Sequence, residues 1–296
     1  MQPKAIIFGI NGQDGFYLNT LLNKAGVEVI GVSRRNPAYT IGDVAGYALV
    51  EKLIKDNQPD YVFHLAANST TRHDTVFENY QTISTGTLNI LEAVYKYSKQ
   101  SKVFIAGSGL QFVNNNAPIA ETDTFEARDS YSMARIQSVY TSRYYRSLGI
   151  NVYVGYFFNH DSPLRSERHV NQKIVMAARR IANGEIEKLE LGDITVKKEF
   201  TYAGDVAEAI WKFINNNAVF ETVIGSGKAY TIANWLELCF SYYNLDWQSY
   251  VSLIPGFASE YKTLVSNPAT IHSLGWQPVV SINDLALIML KANNDL

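Results

Sequence analysis

The chain has 296 residues, of which 47% are hydrophobic and 18% charged, a globular balance that excludes a coiled coil, a collagen-like repeat and a disordered chain. Its 26 Lys and Arg against 28 Asp and Glu leave a net charge of -2, without the broad basic footprint that binding along a nucleic-acid backbone requires. One cysteine, Cys239, excludes an internal disulfide framework, and no apolar run reaches the length of a membrane span. With no signal-peptide pattern ahead of the first apolar run, a cytoplasmic address is expected.

Near-continuous apolar runs of buried-strand length fall at 4–8, 27–32, 61–65, 102–106 and 151–157. Helical stretches fill the gaps at 15–25, 44–56, 74–97 and 130–148, and Gly149 is placed to cap the last of them. The alternation predicts a doubly wound α/β architecture, a parallel sheet covered on both faces. Past residue 158 the rhythm loosens into a polar segment, NHDSPLRSERHVNQK, followed by helices at about 174–183, 205–215 and 231–243. The expected organisation is a dinucleotide-binding domain over 1–158, with a strand returning to its sheet near 195–210. A smaller C-terminal substrate-binding part over 159–296 is interleaved with it.

Directly after the first strand, Gly9-Ile10-Asn11-Gly12-Gln13-Asp14-Gly15 opens the first helix. Glycines permit the tight turn and let the backbone approach a pyrophosphate whose charge sits on the helix N-terminus, which makes the sheet a Rossmann candidate. The second strand runs out in Ser33-Arg34-Arg35. An acid there would hold the ribose 2′-hydroxyl of NAD; two arginines and no acid favour the 2′-phosphate of NADP. Asp43 could contact an adenine, but capping the next helix is the expected role.

Tyr131 and Arg135 stand four apart in Ser130-Tyr131-Ser132-Met133-Ala134-Arg135, on one helix face. A tyrosine hydroxyl serves as an acid or base when a fixed cation stabilises the phenolate form, and Ser108, at the end of the fifth strand, could hydrogen-bond the same substrate oxygen. His64, His73, His160, His169 and His272 show no metal-ligand spacing, so no metal is expected. Trp211, Trp235 and Trp276 sit in apolar contexts and are expected in the core.

Together with His64-Leu65-Ala66-Ala67 after the fourth strand, these motifs resemble the extended short-chain dehydrogenase/reductases (the NAD-dependent epimerase/dehydratase family), with YxxxR in place of YxxxK. More narrowly, GINGQDG at 9–15, FNHDSP at 158–163 and ERHVNQK at 167–173 resemble the GDP-mannose 4,6-dehydratase family. Leu191-Gly192-Asp193, the run 200–205 and LGWQP at 274–278 extend the likeness over nearly the whole chain.

The resemblance implies an NADP-dependent enzyme acting on a nucleotide sugar, a GDP-hexose, with hydride transfer at sugar C4 and a homodimer or dimer of dimers built on the helices at 74–97 and 130–148. It implies that Tyr131 is the acid/base at the C4 hydroxyl, that Arg135 orients it and that Ser108 shares the oxygen. Cofactor contacts fall to Gly9, Asn11, Gly12, Gln13, Asp14, Gly15, Arg34, Arg35, Asp43, Leu65, Ala66, Ala67, Tyr131 and Arg135. Substrate contacts fall to Ser108, Asn159, Glu167, Val170, Lys173 and Lys198, the last standing where the family often has an arginine.

Two departures bear on activity. The glutamate that the family's dehydratases carry two residues after the Ser or Thr, to take the C5 proton, is Leu110 here, and an alkyl chain cannot transfer a proton. Arg135 puts a wider planar head where an ammonium is usual. Dehydration, 4-keto-sugar reduction, epimerisation and a catalytically silent NADP or nucleotide-sugar binding protein all stay open at this level.

Overall fold

The computed structural model describes residues 2–68, 70–185 and 188–292; the end of the expected substrate part, 293–296, lies outside them. In chain order the first half holds β1 (Lys4–Phe8), α1 (Gln13–Lys24), β2 (Glu28–Ser33), β3 (Thr40–Ile41), α2 (Tyr47–Asn57), β4 (Tyr61–His64), α3 (Val76–Asn79), α4 (Gly86–Tyr97), β5 (Lys102–Ser108), α5 (Ser130–Ser147) and β6 (Asn151–Phe157). There follow β7 (His160–Asp161), α6 (Val170–Ala182), β8 (Leu189–Leu191), β9 (Lys197–Glu199), β10 (Thr201–Tyr202) and α7 (Ala203–Ile214). The chain closes with β11 (Glu221–Ile224), β12 (Ala229–Thr231), α8 (Ile232–Ser241), β13 (Val251–Leu253), β14 (Thr263–Leu264), α9 (Ala269–Ser273) and α10 (Ile282–Lys291).

Seven parallel strands form the main sheet in the order β11-β6-β5-β4-β1-β2-β3, the doubly wound arrangement. Alternation along each strand divides its apolar side chains between two cores. Ile6 and Phe8 pack with Val50, Ile90 and Val139 of α2, α4 and α5, while Ala5 and Ile7 pack with Leu18 of α1 and Ile210 of α7. A third cluster joins α6, α8 and α10 through Ile174, Trp235, Phe240 and Met289. Trp235 and Trp276 are buried as expected, each indole N–H satisfied by a backbone carbonyl, of Asn171 at 3.1 Å and Asp205 at 2.9 Å; Trp211 is half-buried against the second core.

Three details differ from the sequence reading. The strand that returns to the sheet is β11, beside β6, whereas 195–210 carries β9, β10 and the start of α7 outside the sheet. The run 74–97 is not one helix: α3 passes into a π-helical turn at Tyr80–Thr85 before α4. Gly86, at the end of that turn, lets the backbone pass so close that a Cβ there would lie 2.8 Å from Val44 and 3.1 Å from His64. Finally, Asp43 does not cap α2. Its carboxylate accepts from the Ala45 N–H in a turn, and the helix starts at Tyr47 behind Gly46 without a side-chain cap.

The C-terminal ends of β1, β4, β5 and β6 lie along one edge of the sheet, where ligands of open α/β sheets bind, and they deliver Phe8, His64, Ser108 and Phe157 to it. Trp235 is the largest fully buried side chain, so Trp235→Ala is expected to lower the unfolding free energy by about 3–5 kcal/mol, measured by urea titration; a loss below about 1 kcal/mol would mean that the third cluster is not close-packed.

Candidate active site

The turn after β1 depends on glycine at two places. Gly9 has φ +92°, and a Cβ on it would lie 2.6 Å from the Ala66 nitrogen after β4. A Cβ on Gly15 would lie 2.6 Å from the Ile10 Cα, so α1 leaves the turn in contact with it. Gly12 is the residue before α1 and no side chain caps that end, which leaves backbone N–H groups to face an anion.

A cavity of about 580 Å³ runs from this turn along the ends of β1 and β2. Gly9, Asn11, Gly12, Arg34, Arg35, Asp43, Leu65, Ala66 and Ala67 line it; Gly15 does not, being used for packing. The glycine cradle, the open helix end and the two arginines fit a dinucleotide. Within the cavity Arg34 is already paired with Glu78 at 3.1 Å, and the same carboxylate accepts from Asn68 at 3.1 Å. Glu78 and Thr82, from α3 and the π-helical turn, went unread because one continuous helix was expected there.

A second cavity of about 860 Å³ adjoins the first. Ser108, Tyr131 and Arg135 all line it, with Gln13, Asp14, Leu110 and Asn159. α5 starts behind a capping box in which Asp129 accepts from the Ser132 N–H, and this sets Tyr131 in the first turn facing the end of β5. Ile83, Ala134 and Leu110 pack around the ring. Ser108 accepts from the Leu110 N–H at 3.2 Å and donates its own backbone N–H to Gln111 at 2.9 Å, so its hydroxyl proton is committed to none of the described residues.

Arg135 is 4% exposed. Its guanidinium carbon lies 5.1 Å from the Tyr131 ring centroid, and one terminal nitrogen donates to the Ala106 carbonyl at the end of β5. The head thus meets the ring and the strand at once, while its Nε is buried with no hydrogen-bond partner among the described residues. Burial, helped by the Arg135 charge, pushes His64 down to about 4, so the imidazole beneath the site is neutral at pH 7.

Gln13 and Asp14 do a different job from the glycines. Asp14 pairs with His160 at 2.8 Å, the other ring nitrogen of His160 meets the Phe158 carbonyl at 2.8 Å, and Ser162 donates to Gln13 at 2.8 Å. Burial opposes charge on both partners. Their mutual attraction prevails, holding the Asp14 carboxyl down at about 2 and raising His160 above its usual value.

Of the expected substrate residues only Ser108 and Asn159 reach the cavity wall. Glu167 forms a surface pair with Arg180 at 3.0 Å, Lys173 donates to the Glu190 carbonyl at 2.7 Å, and Val170 packs on the third core cluster. Lys198 is buried near Asp161 and Arg165, its ammonium 5.4 Å from the Phe200 ring centroid, and burial pushes it down to about 8. The wall is formed instead by Leu164, Arg165, Ser166, Arg168 and His169. These lie in the polar segment already singled out, but which of its side chains turn inward depends on where α6 begins, at Val170. Among the described residues no group of His, Cys, Asp and Glu could hold a metal ion, and no helix is long and apolar enough to cross a membrane.

Comparison with known proteins matches residues 6–289 to the family described as GDP-mannose 4,6 dehydratase. GDP-mannose 4,6 dehydratase 1 of Arabidopsis thaliana is 28% identical, the match covering 99% of this chain and 90% of that protein. Among solved structures, the RMD protein of Pseudomonas aeruginosa complexed with NADPH superposes with TM-score 0.84 at 21% identity over 98% of each chain. The UDP-glucose 4-epimerase of Thermus thermophilus complexed with NAD does so with TM-score 0.82 at 21% identity over 97% of each chain.

The Asp14–His160 pair carries a pH signature. A raised histidine contributes stability that is fully present below the unfolded value of ~6.5 and is lost as pH rises through the higher folded value. A lowered carboxylate contributes stability present above ~3.9, lost as pH falls through about 2. The difference in melting temperature between wild type and His160→Asn is therefore expected to be widest at pH 5–6 and to narrow towards pH 9, as read by thermal melts; a difference that grows with pH would contradict the ion pair.

Proposed function

The chain belongs to the GDP-mannose 4,6-dehydratase family, and from that premise we propose that it is an NADP-dependent enzyme that changes the oxidation state at C4 of a nucleotide sugar, a GDP-hexose, without dehydrating it. The observation that carries this reading is Leu110, standing beside Ser108 and Tyr131 on the cavity wall where β-elimination would need a base. The carboxylates on that wall are Asp14, bound to His160, and Asp74, bound to Arg72 at 2.8 Å. Beyond Leu110 a side cavity of about 170 Å³ holds Asp129 and Glu260. Asp129 caps α5 and Glu260 accepts from Thr71 at 2.8 Å, so each is engaged. Reduction of a 4-keto sugar leads among the remaining chemistries, with epimerisation through a transient ketone next.

A nicotinamide held by the glycine turn and the first cavity would supply hydride transfer at C4, in either direction. Tyr131 supplies the proton to the C4 oxygen as the carbonyl becomes a hydroxyl, so atoms and charge balance. Ser108 donates a hydrogen bond from its uncommitted hydroxyl to the same oxygen without giving up its proton, and Arg135 holds a fixed positive charge beside the ring to stabilise negative charge developing there. Arg35, whose guanidinium has no partner among the described residues, supports NADP over NAD, and the names of the curated relatives support GDP as the nucleotide. α3, the π-helical turn, α4 and α5 expose Phe77, Tyr80, Leu88, Tyr140 and Tyr144, apolar side chains consistent with a homodimer. A cytoplasmic address is part of the same reading, supported by the free, buried thiol of Cys239.

The test is to incubate the protein with NADPH and 4-keto nucleotide sugars, and separately with NADP and a panel of GDP-, UDP-, dTDP- and CDP-sugars, following product mass. A gain of two hydrogens on the ketone is expected; loss of one water from GDP-mannose would overturn the reading. Tyr131→Phe is expected to cut turnover by about 10²–10⁴ while binding NADPH as tightly as wild type. Cofactor and sugar binding without turnover by the wild type would mark a silent binding protein. Arg35→Ala is expected to weaken NADPH about 10-fold while leaving NADH unchanged, measured by cofactor fluorescence; equal effects on both would remove the basis for NADP.

A further inference from the structure

Every residue that lines the cofactor cavity lies within 8–82, with one exception among the described residues, Arg168. That arginine also lines the second cavity. The two cavities share Gly12, Leu65, Ala67, Asn68 and Arg168, so their junction has the open N-terminus of α1 on one side and a guanidinium from the second half of the chain on another. Of the nearby arginines, Arg34 is paired with Glu78, Arg165 with Asp161 at 3.5 Å and Arg180 with Glu167, while the Arg35 side chain, which lines the first cavity and not the second, has no partner among the described residues. Arg168 has no hydrogen bond or ion pair among the described residues. Its loop is tied to α1 by Ser162 on Gln13, and the His169 N–H closes a local turn on the Ser166 carbonyl at 3.0 Å, just before α6. An unpaired guanidinium lining the same junction as an open helix N-terminus suits the two negative charges of a pyrophosphate.

We propose that Arg168 is a phosphate-binding residue for the dinucleotide, closing over its pyrophosphate opposite the N-terminus of α1 and coupling cofactor occupancy to the loop 162–169 that walls the sugar cavity. This rests on the reading above that a nicotinamide dinucleotide occupies the first cavity. The pyrophosphate is the group concerned because Gly12, at the helix end, belongs to the junction, whereas Arg34 and Arg35 do not.

The experiment measures the dissociation constants of NADPH and NADH, and of GDP-mannose, for wild type, Arg168→Ala and Arg168→Lys, with hydrogen exchange of 162–169 with and without cofactor. Arg168→Ala is expected to weaken both dinucleotides by a similar factor of about 10 and Arg168→Lys by less, because lysine keeps the charge but not the fork. Cofactor is expected to protect the loop in wild type and not in Arg168→Ala. Unchanged dinucleotide binding, an effect on NADPH alone, or an effect on GDP-mannose alone would each overturn the assignment. If wild type bound neither dinucleotide, the proposed function would fall with it; if wild type bound both and Arg168→Ala matched it, only the role of Arg168 would fall. Arg168 is exposed, and unchanged thermal melting would separate lost binding from lost folding.

Discussion

The contact on which the site depends is the link from Gln13 and Asp14 to Ser162 and His160. It ties the first turn of α1 to the segment after β6, strands that β4 and β5 separate in the sheet. A buried ion pair is a poor source of net stability, because desolvating two charges cancels much of their attraction. What it supplies here is position. With Asp14 held by His160, and His160 held in turn by the Phe158 carbonyl, the uncapped end of α1 and the loop that walls the second cavity are set against one another. The junction between the two cavities exists because of that register.

Around the reacting groups the packing is set by small residues. The Ala106 carbonyl accepts from the Arg135 head, Ala134 packs with Tyr131 and Ile83, and Gly86 lets the chain after the π-helical turn pass close to His64. That turn is placed to do two things with consecutive residues: Thr82 lines the cofactor cavity and Ile83 packs on the Tyr131 ring. Hydrogen bonds between Ser84 and the Ala134 carbonyl and between Ser138 and the Ile83 carbonyl lock it onto α5, both at 3.1 Å. A local departure from α geometry at a functional edge is how such turns are commonly used.

Leu110 changes the chemistry available to this frame without changing the frame. Its backbone N–H still positions Ser108, and its side chain joins the apolar packing around Tyr131. The site thereby presents a tyrosine hydroxyl, a serine hydroxyl and a guanidinium, and among the described residues the carboxylates on its wall are paired. Proton exchange at one oxygen needs only those three groups; removal of a carbon-bound proton needs a free carboxylate beside them.

Five of the seven sheet strands, the glycine turn and the Ser108, Tyr131 and Arg135 set were legible in the sequence because each rests on local chemistry: apolar runs, residues that permit tight turns, and a spacing of four on a helix. The sequence by itself determined where five of the strands fall, with their C-terminal ends placed within two residues, and so which segments reach the edge of the sheet. Only the tertiary structure decided that Gln13 and Asp14 clamp His160 and Ser162, that β11 closes the sheet, and that Arg168 rather than Glu167 or Lys173 faces the cavities. Those outcomes depend on contacts between residues up to about 150 apart in the chain and on the rotation of α6, set by where its first turn is fixed, and no local pattern of residues encodes either.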